Sequence, residues 1–383
     1  MRDVSIIGVG QTPVAEHWDR SIRDLAIEAI AAARQDAGVD RVDVLFVGNM
    51  LSGELAGQEN LATLVADAAC LLPIEALKIE AACASGGAAL RAAHLAVGSG
   101  AHDYALVVGV EKMTDYLTDG VTAALALAAD ADYEAAHGIT FAALNALLMR
   151  RYMYEHQARH EDFAPFSVNA HANAALNPRA MYRQPITLDD FERSPWVADP
   201  INILDSAGIC DGAAALLIGP TSETRRARRP PVRIAASATA TDTLGLAERK
   251  DPLVWQAVAD SARLAYAQAK LKPQDVDLFE LHDAFTIVSV LTLEACGFAD
   301  RGSGLKLAAE GRIGREGDIP ICTLGGLKGR GHPVGASGAY QLVETVLQLR
   351  GEAGPAQVRG ARVGMAQSVG GSGSVAVTHI LQV

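Results

Sequence analysis

The chain has 383 residues, too many for one small core, and suits two or three domains or one large fold built from repeated halves. Half of the residues are apolar and a fifth are charged, so the chain can bury a large core, which excludes a mainly disordered protein. The 45 acidic residues outnumber the 33 basic ones, and the formal charge of −12 disfavours binding to nucleic acid.

The five cysteines show neither a C-x-x-C pair nor a histidine at zinc-finger spacing; they are Cys70, Cys83, Cys210, Cys296 and Cys322. The sequence therefore predicts no disulfide framework and no metal site. The first residues lead directly into a strand-like segment without a signal-peptide core, and no uninterrupted apolar stretch is long enough to cross a membrane. We expect a cytoplasmic protein that binds neither nucleic acid nor membranes.

The first part of the chain alternates strand and helix signals. A β-branched run over residues 4–9 predicts a strand, and apolar residues at helical spacing predict a helix over residues 21–37 that Gly38 ends. Further elements are predicted in the order strand 44–47, strand 77–81, helix 84–97 and strand 104–110. This alternation predicts an α/β fold with a mostly buried sheet.

The second half of the chain repeats this pattern. A helix over residues 258–269 precedes a strand over 275–279, and a helix that begins at Gly335 and runs through residue 349 precedes a strand over 362–366. Two pseudo-equivalent halves explain the repetition, although two ordinary βα units could also resemble each other by chance.

The stretch between the two halves differs in composition. It contains alanine-rich helices, several aromatic residues and turn-like proline sites, which is typical of an inserted domain of helices and long loops. The predicted division is residues 1–116 for the first part of the N-terminal half, 117–225 for the insertion and its return, and 226–383 for the C-terminal half.

Cys83 is the first candidate for chemistry. It lies in residues 81–87 (A-A-C-A-S-G-G), between a predicted strand and a predicted helix, with small neighbours on both sides. The positive end of the helix dipole should lower the pKa of the thiol, as a nucleophile requires, and small neighbours would admit an acyl group. A cysteine in such a segment can equally be an inert core residue, so partners are needed.

Two histidines are candidate partners. His282 lies in the H-D-A-F segment that follows a predicted strand, and His332 lies in the glycine-rich G-H-P-V-G-A-S-G loop before a predicted helix. One of them could accept the thiol proton, and both could donate to an oxyanion.

These motifs, together with S-V-G-G-S-G at residues 368–373, resemble the thiolase superfamily, above all its archaeal-type and sterol-carrier-linked acetyl-CoA acetyltransferases. The segments G-V-E-K-M-T-D at 109–115 and D-G-A-A-A at 211–215 support the resemblance. It covers essentially the whole chain and implies an α/β fold of the thiolase type. That fold has two pseudo-repeated βαβ halves in a five-layer α-β-α-β-α sandwich, with an inserted helical loop domain.

The resemblance also implies roles for individual residues. Cys83 matches the nucleophile that takes the acyl group from an acyl-CoA, and His332 matches the base that activates it. His282 and His332 match the first oxyanion hole, and the backbone N–H groups of Cys83 and Gly370 match the second one. No cofactor is implied besides the coenzyme A thioester substrate, and the residues that bind coenzyme A are not identified.

Two departures from the family pattern concern the base that removes the α-proton of the incoming acetyl group. Most thiolases have a cysteine where this chain has Ser368, and sterol-carrier-linked ones have a cysteine where it has Ala284. A serine hydroxyl is too weak a base for an α-carbon. Three explanations stay open: His282 is the base, a different cysteine (Cys210, Cys296 or Cys322) replaces it, or the substrate brings its own nucleophilic carbon. We favour His282.

The activity implied is a thiolase reaction, namely condensation of two acetyl-CoA to acetoacetyl-CoA or thiolysis of a 3-ketoacyl-CoA. One alternative is a C-acyltransferase or decarboxylating condensing enzyme with an unusual acceptor. Another is a thiolase-like subunit that is active only with an OB-fold, zinc-ribbon partner and a hydroxymethylglutaryl-CoA synthase. The resemblance further implies a homodimer or homotetramer.

Overall fold

The computed structural model describes the backbone of residues 1–383 and every side chain except those of Arg225 and Arg226. The predicted boundary between the insertion and the C-terminal half lies between residues 225 and 226. The side chains of these two residues are outside the described part of the chain. The strands are β1 (Val4–Gln11), β2 (Val44–Gly48), β3 (Glu75–Ile79), β4 (Ala105–Glu111), β5 (Trp196–Ala198), β6 (Ile201–Asn202), β7 (Gly212–Pro220), β8 (Val232–Thr241), β9 (Leu278–Glu280), β10 (Val363–Gly370) and β11 (Val375–Gln382).

The α-helices follow the same chain order. They are α1 (Ile22–Ala37), α2 (Ser52–Leu55), α3 (Leu61–Ala68), α4 (Ser85–Ser99), α5 (Thr118–Leu125), α6 (Phe141–His156), α7 (Ala164–Ala174), α8 (Leu188–Glu192), α9 (Gln256–Ala269), α10 (Thr286–Ala295), α11 (Gly304–Ala309), α12 (Gly326–Gly329) and α13 (Ser337–Leu349). No helix in the described part of the chain combines the length and apolar character that crossing a membrane requires.

The large sheet is built from two copies of one strand order. Its nine strands run β3-β2-β4-β7-β1-β8-β11-β10-β9, and the halves meet where β1 pairs briefly with β8. In the first half β2 is parallel to β4, and β7 is antiparallel to both β4 and β1. In the second half β9 is parallel to β10, and β11 is antiparallel to both β10 and β8. This correspondence confirms the predicted pseudo-repeat.

Helices fill three layers around these sheet halves. On the outer face of the first half α1 packs against β1 and β7, and on the outer face of the second half α9 packs against β8 and β11. Between the halves, α4 and α13 contact each other and strands of both. Their apolar side chains, among them Leu90, Leu342 and Val346, form one buried cluster with strand residues. The predicted five-layer arrangement is confirmed.

Local signals explain most element boundaries. Ser21 caps α1 by accepting a hydrogen bond from the backbone N–H of Asp24, and Gly38 ends the helix in the left-handed conformation with φ 64°. The predicted third strand extended to residue 81, but β3 ends at Ile79. Ala82 has φ 50°, so the chain turns there instead of continuing the strand.

The predicted strand over residues 275–279 is also shorter than expected. Its first residue closes a 3-10 turn, Pro273–Asp275, in which the Asp275 carboxylate accepts from the backbone N–H of Lys272 at 2.8 Å. Only Leu278–Glu280 then pairs as β9. A short polar capped turn carries no apolar periodicity, which is why the pattern did not separate it from the strand.

Two histidines lie where α4 packs against the sheet, and burial favours the neutral form of both. His379 on β11 is buried and its Nε2 lies 3.1 Å from the carbonyl oxygen of Gly87 in α4. His94 on α4 has a buried Nδ1 without a partner. Burial lowers the pKa of His379 to about 3 and that of His94 to about 4, and Arg91 adds to both shifts.

We predict that these histidines make the fold sensitive to acid. An unfolded histidine takes up a proton near pH 6.5, whereas these two stay neutral in the folded state, so the free energy of unfolding should fall as pH drops from about 6.5 towards 4. In His379→Gln this loss should be smaller by about 1.4 kcal/mol per pH unit. Urea unfolding at several pH values measures it. The exposed His137→Gln is the control, and equal slopes in all three proteins would contradict the prediction.

Candidate active site

Cys83 sits in the sharp turn between β3 and α4. Ser85 clamps this turn, because its hydroxyl accepts from the N–H of Ala81 at 2.9 Å and donates to the carbonyl of Ala82 at 2.6 Å. The positive φ of Ala82 re-aims the chain, so that Cys83 lies at the start of the helix and its side chain lines a cavity. Cys83 thus lies between a strand and a helix, as the sequence pattern predicts.

The pKa of the Cys83 thiol moves in the direction opposite to the predicted one. Burial raises it to about 12, and the negative charges of Glu111 and Glu80 add to the effect, whereas the backbone N–H of Cys83 lowers it. Desolvation thus changes the pKa of the thiol more than the helix terminus does. The thiol is neutral at physiological pH and needs a base to become a nucleophile.

His332 lies in the loop between α12 and α13. Its Nδ1 is 2.7 Å from the hydroxyl of Ser337, the first residue of α13, and that hydroxyl donates to the Pro333 carbonyl at 3.4 Å. The Ser337 oxygen can then accept a hydrogen bond from Nδ1–H of His332. In that tautomer Nε2 has a free lone pair. Burial, His282 and Arg330 lower the pKa of His332 well below its ordinary value, so the ring is neutral.

His282 lies in the loop after β9, and the next residue anchors that loop. The Asp283 carboxylate accepts from the backbone N–H of Leu327 at 2.6 Å and pairs with Lys328 at 3.5 Å. Burial lowers the pKa of His282 to about 4, with Asp283 opposing the shift and Arg330 and Lys328 adding to it. Its Nδ1 is buried and has no hydrogen-bond partner.

The fold brings these three predicted residues together. One donor atom each of Cys83, His282 and His332 lies within 4.8 Å of the others, and the two rings meet edge to face with centroids 5.1 Å apart. In the described part of the chain no other set of three or more cysteine, histidine and carboxylate side chains is close enough to share a metal ion.

The three side chains line one cavity of about 90 Å³, whose other walls are mainly apolar. These walls include Phe141, Trp255, Phe285, Val288, Val334 and Val369. Apolar walls lower the local dielectric around the thiol and the two imidazoles, which strengthens electrostatic interactions inside the cavity. The arrangement can generate a thiolate by proton transfer and stabilise an oxyanion beside it.

Glu111 connects the two halves of the site. From the end of β4 its buried carboxylate accepts four hydrogen bonds, from the side chain of Asn49 and from the backbone N–H groups of Met50, Leu51 and Gly335, at 2.8–3.0 Å. Burial raises its pKa to about 7, while the backbone donors lower it. Since Gly335 belongs to the His332 loop, this carboxylate ties that loop to the N-terminal half.

Gly370 lies beside the Cys83 turn. A Cβ at this position would be 2.5 Å from the carbonyl oxygen of Ala81, so the backbone at the end of β10 approaches the turn as closely as a glycine allows. The neighbouring Ser368 is buried, and its hydroxyl donates to the side chain of Gln341 at 2.9 Å. Ser368 does not line the cavity, whereas Ala284 does.

The other cysteines offer no second thiol at the site. The thiol of Cys296 contacts Gln367 and that of Cys322 the Leu281 carbonyl, and both are buried, as is Cys210. Burial raises the pKa of all three thiols. Among the cysteines only Cys83 lines the cavity.

Sequence reasoning did not identify the roles of Glu111 and Ser337. Glu111 was visible in the G-V-E-K-M-T-D segment as a charged residue ending a buried strand, which is a usable signal for a functional position. Ser337 lies five residues after His332, at the start of a helix, and nothing in that spacing predicts that it contacts the imidazole.

Comparisons with known proteins agree with this geometry. A family model described as "Thiolase, N-terminal domain" matches residues 4–222, and one described as "Thiolase C-terminal domain-like" matches residues 238–383. The chain is 46% identical to an acetyl-CoA acetyltransferase of Methanothermobacter thermautotrophicus over 99% of both chains. It is 39% identical to one of Methanocaldococcus jannaschii, over 100% of this chain and 99% of that one.

A solved structure described as the Ltp2-ChsH2(DUF35) aldolase has the same fold. It superposes with a TM-score of 0.86 and 26% sequence identity, over 99% of this chain and 97% of that one. Family models that span both halves, full-length relatives and a cavity lined by Cys83, His282 and His332 lead to one conclusion: the chain belongs to the thiolase family.

Proposed function

We propose that this protein condenses two acetyl-CoA to acetoacetyl-CoA, or cleaves a 3-ketoacyl-CoA in the reverse reaction, through a thioester on Cys83. The observation that carries the proposal is the convergence of Cys83, His282 and His332 within 4.8 Å at one apolar cavity. A thiol, a neutral base and positioned donors are the groups that acyl transfer between thioesters requires.

In the first half-reaction the thiol of Cys83 attacks the thioester carbonyl. Because burial raises the pKa of this thiol, the attack needs a base that takes its proton. The free lone pair on Nε2 of His332 accepts this proton, and the contact of Nδ1 with Ser337 stabilises the ring as it becomes charged. The proton then passes to the departing coenzyme A thiolate.

Each tetrahedral intermediate needs donors at its oxygen. The backbone N–H of Cys83, beside the positive end of α4, and that of Gly370, at the end of β10, are proposed to serve the acyl-enzyme. The close approach of Gly370 to the Cys83 turn supports this pairing. His332 is proposed to serve the oxygen of the second thioester through an Nε2–H, in the tautomer in which the Ser337 hydroxyl donates to Nδ1, and His282 joins it once it has taken up the α-proton.

In the second half-reaction a base removes the α-proton of acetyl-CoA. His282 is proposed for this step, because Ser368 contacts Gln341 away from the cavity, Ala284 has no basic group and the remaining cysteines do not line the cavity. An imidazole whose pKa is near 4 is a weak base, so the step depends on the enolate oxygen being stabilised at the same time.

Assembly with other chains is also proposed. The matched solved structure is described as the Ltp2-ChsH2(DUF35) aldolase, and that description supports a partner chain for this protein. An OB-fold, zinc-ribbon protein as that partner is what the family resemblance implies. Association with further copies of the chain, and with a hydroxymethylglutaryl-CoA synthase, rests on the family resemblance alone.

The acyl-enzyme is tested by intact-protein mass after mixing with acetyl-CoA and acetoacetyl-CoA. The wild-type chain should gain the mass of one acyl group, and Cys83→Ser should gain none, because the thioester can form only on a thiol. Cys70→Ser is the matched control, since Cys70 is exposed and away from the cavity. An adduct that persists in Cys83→Ser would move the nucleophile elsewhere.

The base is tested by comparing two rates in His282→Ala. Condensation should fall by about a hundredfold or more, and Cys83 acylation should fall less, since general base catalysis contributes about 10²–10⁴-fold. A thiol introduced as Ala284→Cys in this variant should restore part of the condensation rate, because position 284 lines the cavity. Ser368→Cys should restore none. Equal losses in both rates would show that His282 is not the base for the α-carbon.

The role of Glu111 is tested with Glu111→Gln, which leaves buried N–H donors facing an amide N–H₂ group. An unpaired buried donor costs about 1–3 kcal/mol, so the His332 loop should shift and the acylation rate should fall by about tenfold or more. Removal of the negative charge should at the same time lower the pKa of the Cys83 thiol, and alkylation of Cys83 by iodoacetamide should become faster.

If acylation slows while alkylation becomes faster, Glu111 positions the His332 loop. A general loss of packing around the site would not give these opposite changes. Buried Cys210 serves as the internal reference and should stay unmodified. The exposed Glu54→Gln is the matched control and should change neither rate. If Cys210 is alkylated as well, or if acylation is unchanged, Glu111 does not position the His332 loop.

A further inference from the structure

We propose that Cys83, His282 and His332 together bind a thiophilic divalent cation of the zinc type, and that the bound ion blocks acyl transfer. The binding is independent of the reaction, whereas the inhibition rests on the proposed function. The sequence predicts no metal site, because the three ligands are widely separated along the chain and show no ligand spacing. Only the fold brings their donor atoms to within 4.8 Å.

The distances suit a single small ion after a modest adjustment. Zinc binds thiolate sulfur at about 2.3 Å and imidazole nitrogen at about 2.0–2.1 Å, so ligands of one tetrahedral ion lie about 3.3–3.6 Å apart. Donor atoms within 4.8 Å therefore need to approach by about 1 Å, which side-chain rotation can supply. The Nδ1 of His282 has no hydrogen-bond partner, so rotation of this ring towards an ion breaks no hydrogen bond at that atom.

The donor set selects the metal. One sulfur and two imidazole nitrogens suit zinc and similar ions, whereas magnesium and calcium require several oxygen ligands. The nearby carboxylates are already used: Glu111 accepts four hydrogen bonds, and Asp283 is held by Leu327 and Lys328. The fourth position of the ion would face the cavity, open to water.

The surroundings of His332 favour metal binding further. The contact between Nδ1 and the Ser337 hydroxyl orients the ring and directs the other nitrogen towards the cavity, which is the type of support that metal-binding histidines commonly have. Its loop is anchored to the N-terminal half through Gly335 and Glu111. One of the two imidazole ligands is thus already oriented before any ion arrives.

The binding step balances without a redox partner. The Cys83 thiol releases its proton to the buffer, a sulfur–metal bond and two nitrogen–metal bonds form, and water molecules leave the hydrated ion. The sulfur lone pair and the imidazole lone pairs are then occupied. Cys83 can no longer attack a thioester and His332 can no longer accept its proton, so the same contacts that bind the ion remove the activity.

The test uses the full-length chain after chelation and titrates it with zinc chloride and with cobalt(II) chloride. We expect one equivalent of zinc per chain and, with cobalt, a thiolate charge-transfer band in the near-ultraviolet. Cys83→Ser should lose that band, and His282→Ala and His332→Ala should each weaken zinc binding by about tenfold or more. Ser337→Ala, which removes only the support of His332, should weaken it less. Cys70→Ser is the control for adventitious binding at an exposed thiol.

Acylation provides an independent check. Protein in which Cys83 carries an acyl group should not give the cobalt band. Zinc should slow formation of the Cys83 adduct, and a chelator should restore the rate. The proposal is overturned if Cys83→Ser keeps the band, if both histidine variants bind zinc as tightly as the wild-type chain, or if the wild-type chain binds no zinc. Zinc binding without any Cys83 adduct would leave the metal site standing and contradict the proposed function instead.

Discussion

The site depends on the contact between α4 and α13 in the central layer, where two helix backbones approach each other without side chains between them. A Cβ on Gly338 would lie 2.4 Å from the backbone nitrogen of Gly87, and one on Gly86 would lie 2.7 Å from that of Ala339. Because even an alanine would force the helices apart, glycine is required at these positions. Cys83 lies just before α4 and His332 a few residues before α13, so this contact sets the distance between the thiol and the imidazole.

The pseudo-repeat explains why the two residues occupy matching places. In the first half α4 precedes β4, and in the second half α13 precedes the corresponding strand β10; both helices pack in the central layer. The halves differ in what they place there, a thiol in one and an imidazole in the other. The two similar halves thus place different side chains at corresponding positions. The second half also contributes His282 from the loop after β9 and Gly370 from the end of β10.

Electrostatics at the site follow from burial. Desolvation keeps the Cys83 thiol protonated and both imidazoles unprotonated, so the resting site carries no charge on its reacting groups. Charged side chains lie around the site but do not line the cavity. Glu111 is surrounded by N–H donors. Arg330 pairs with Glu344 at 3.2 Å and lowers the pKa of both histidines. Neutral groups in an apolar cavity are suited to proton transfer that accompanies bond formation, and they also present free lone pairs to a metal ion.

Much of this could be read from the sequence, because the information is local. Strand and helix periodicity, the turn at Gly38 and the small residues around Cys83 follow from neighbouring residues. The resemblance of four motifs to the thiolase superfamily then identifies Cys83, His282, His332 and Gly370 as candidates. The direction of the Cys83 pKa shift, the four donors around Glu111, the contact of Ser337 with His332 and the orientation of Ser368 towards Gln341 were decided only by the tertiary structure. Each depends on desolvation or on hydrogen bonds between segments far apart in the chain, and no local pattern encodes those.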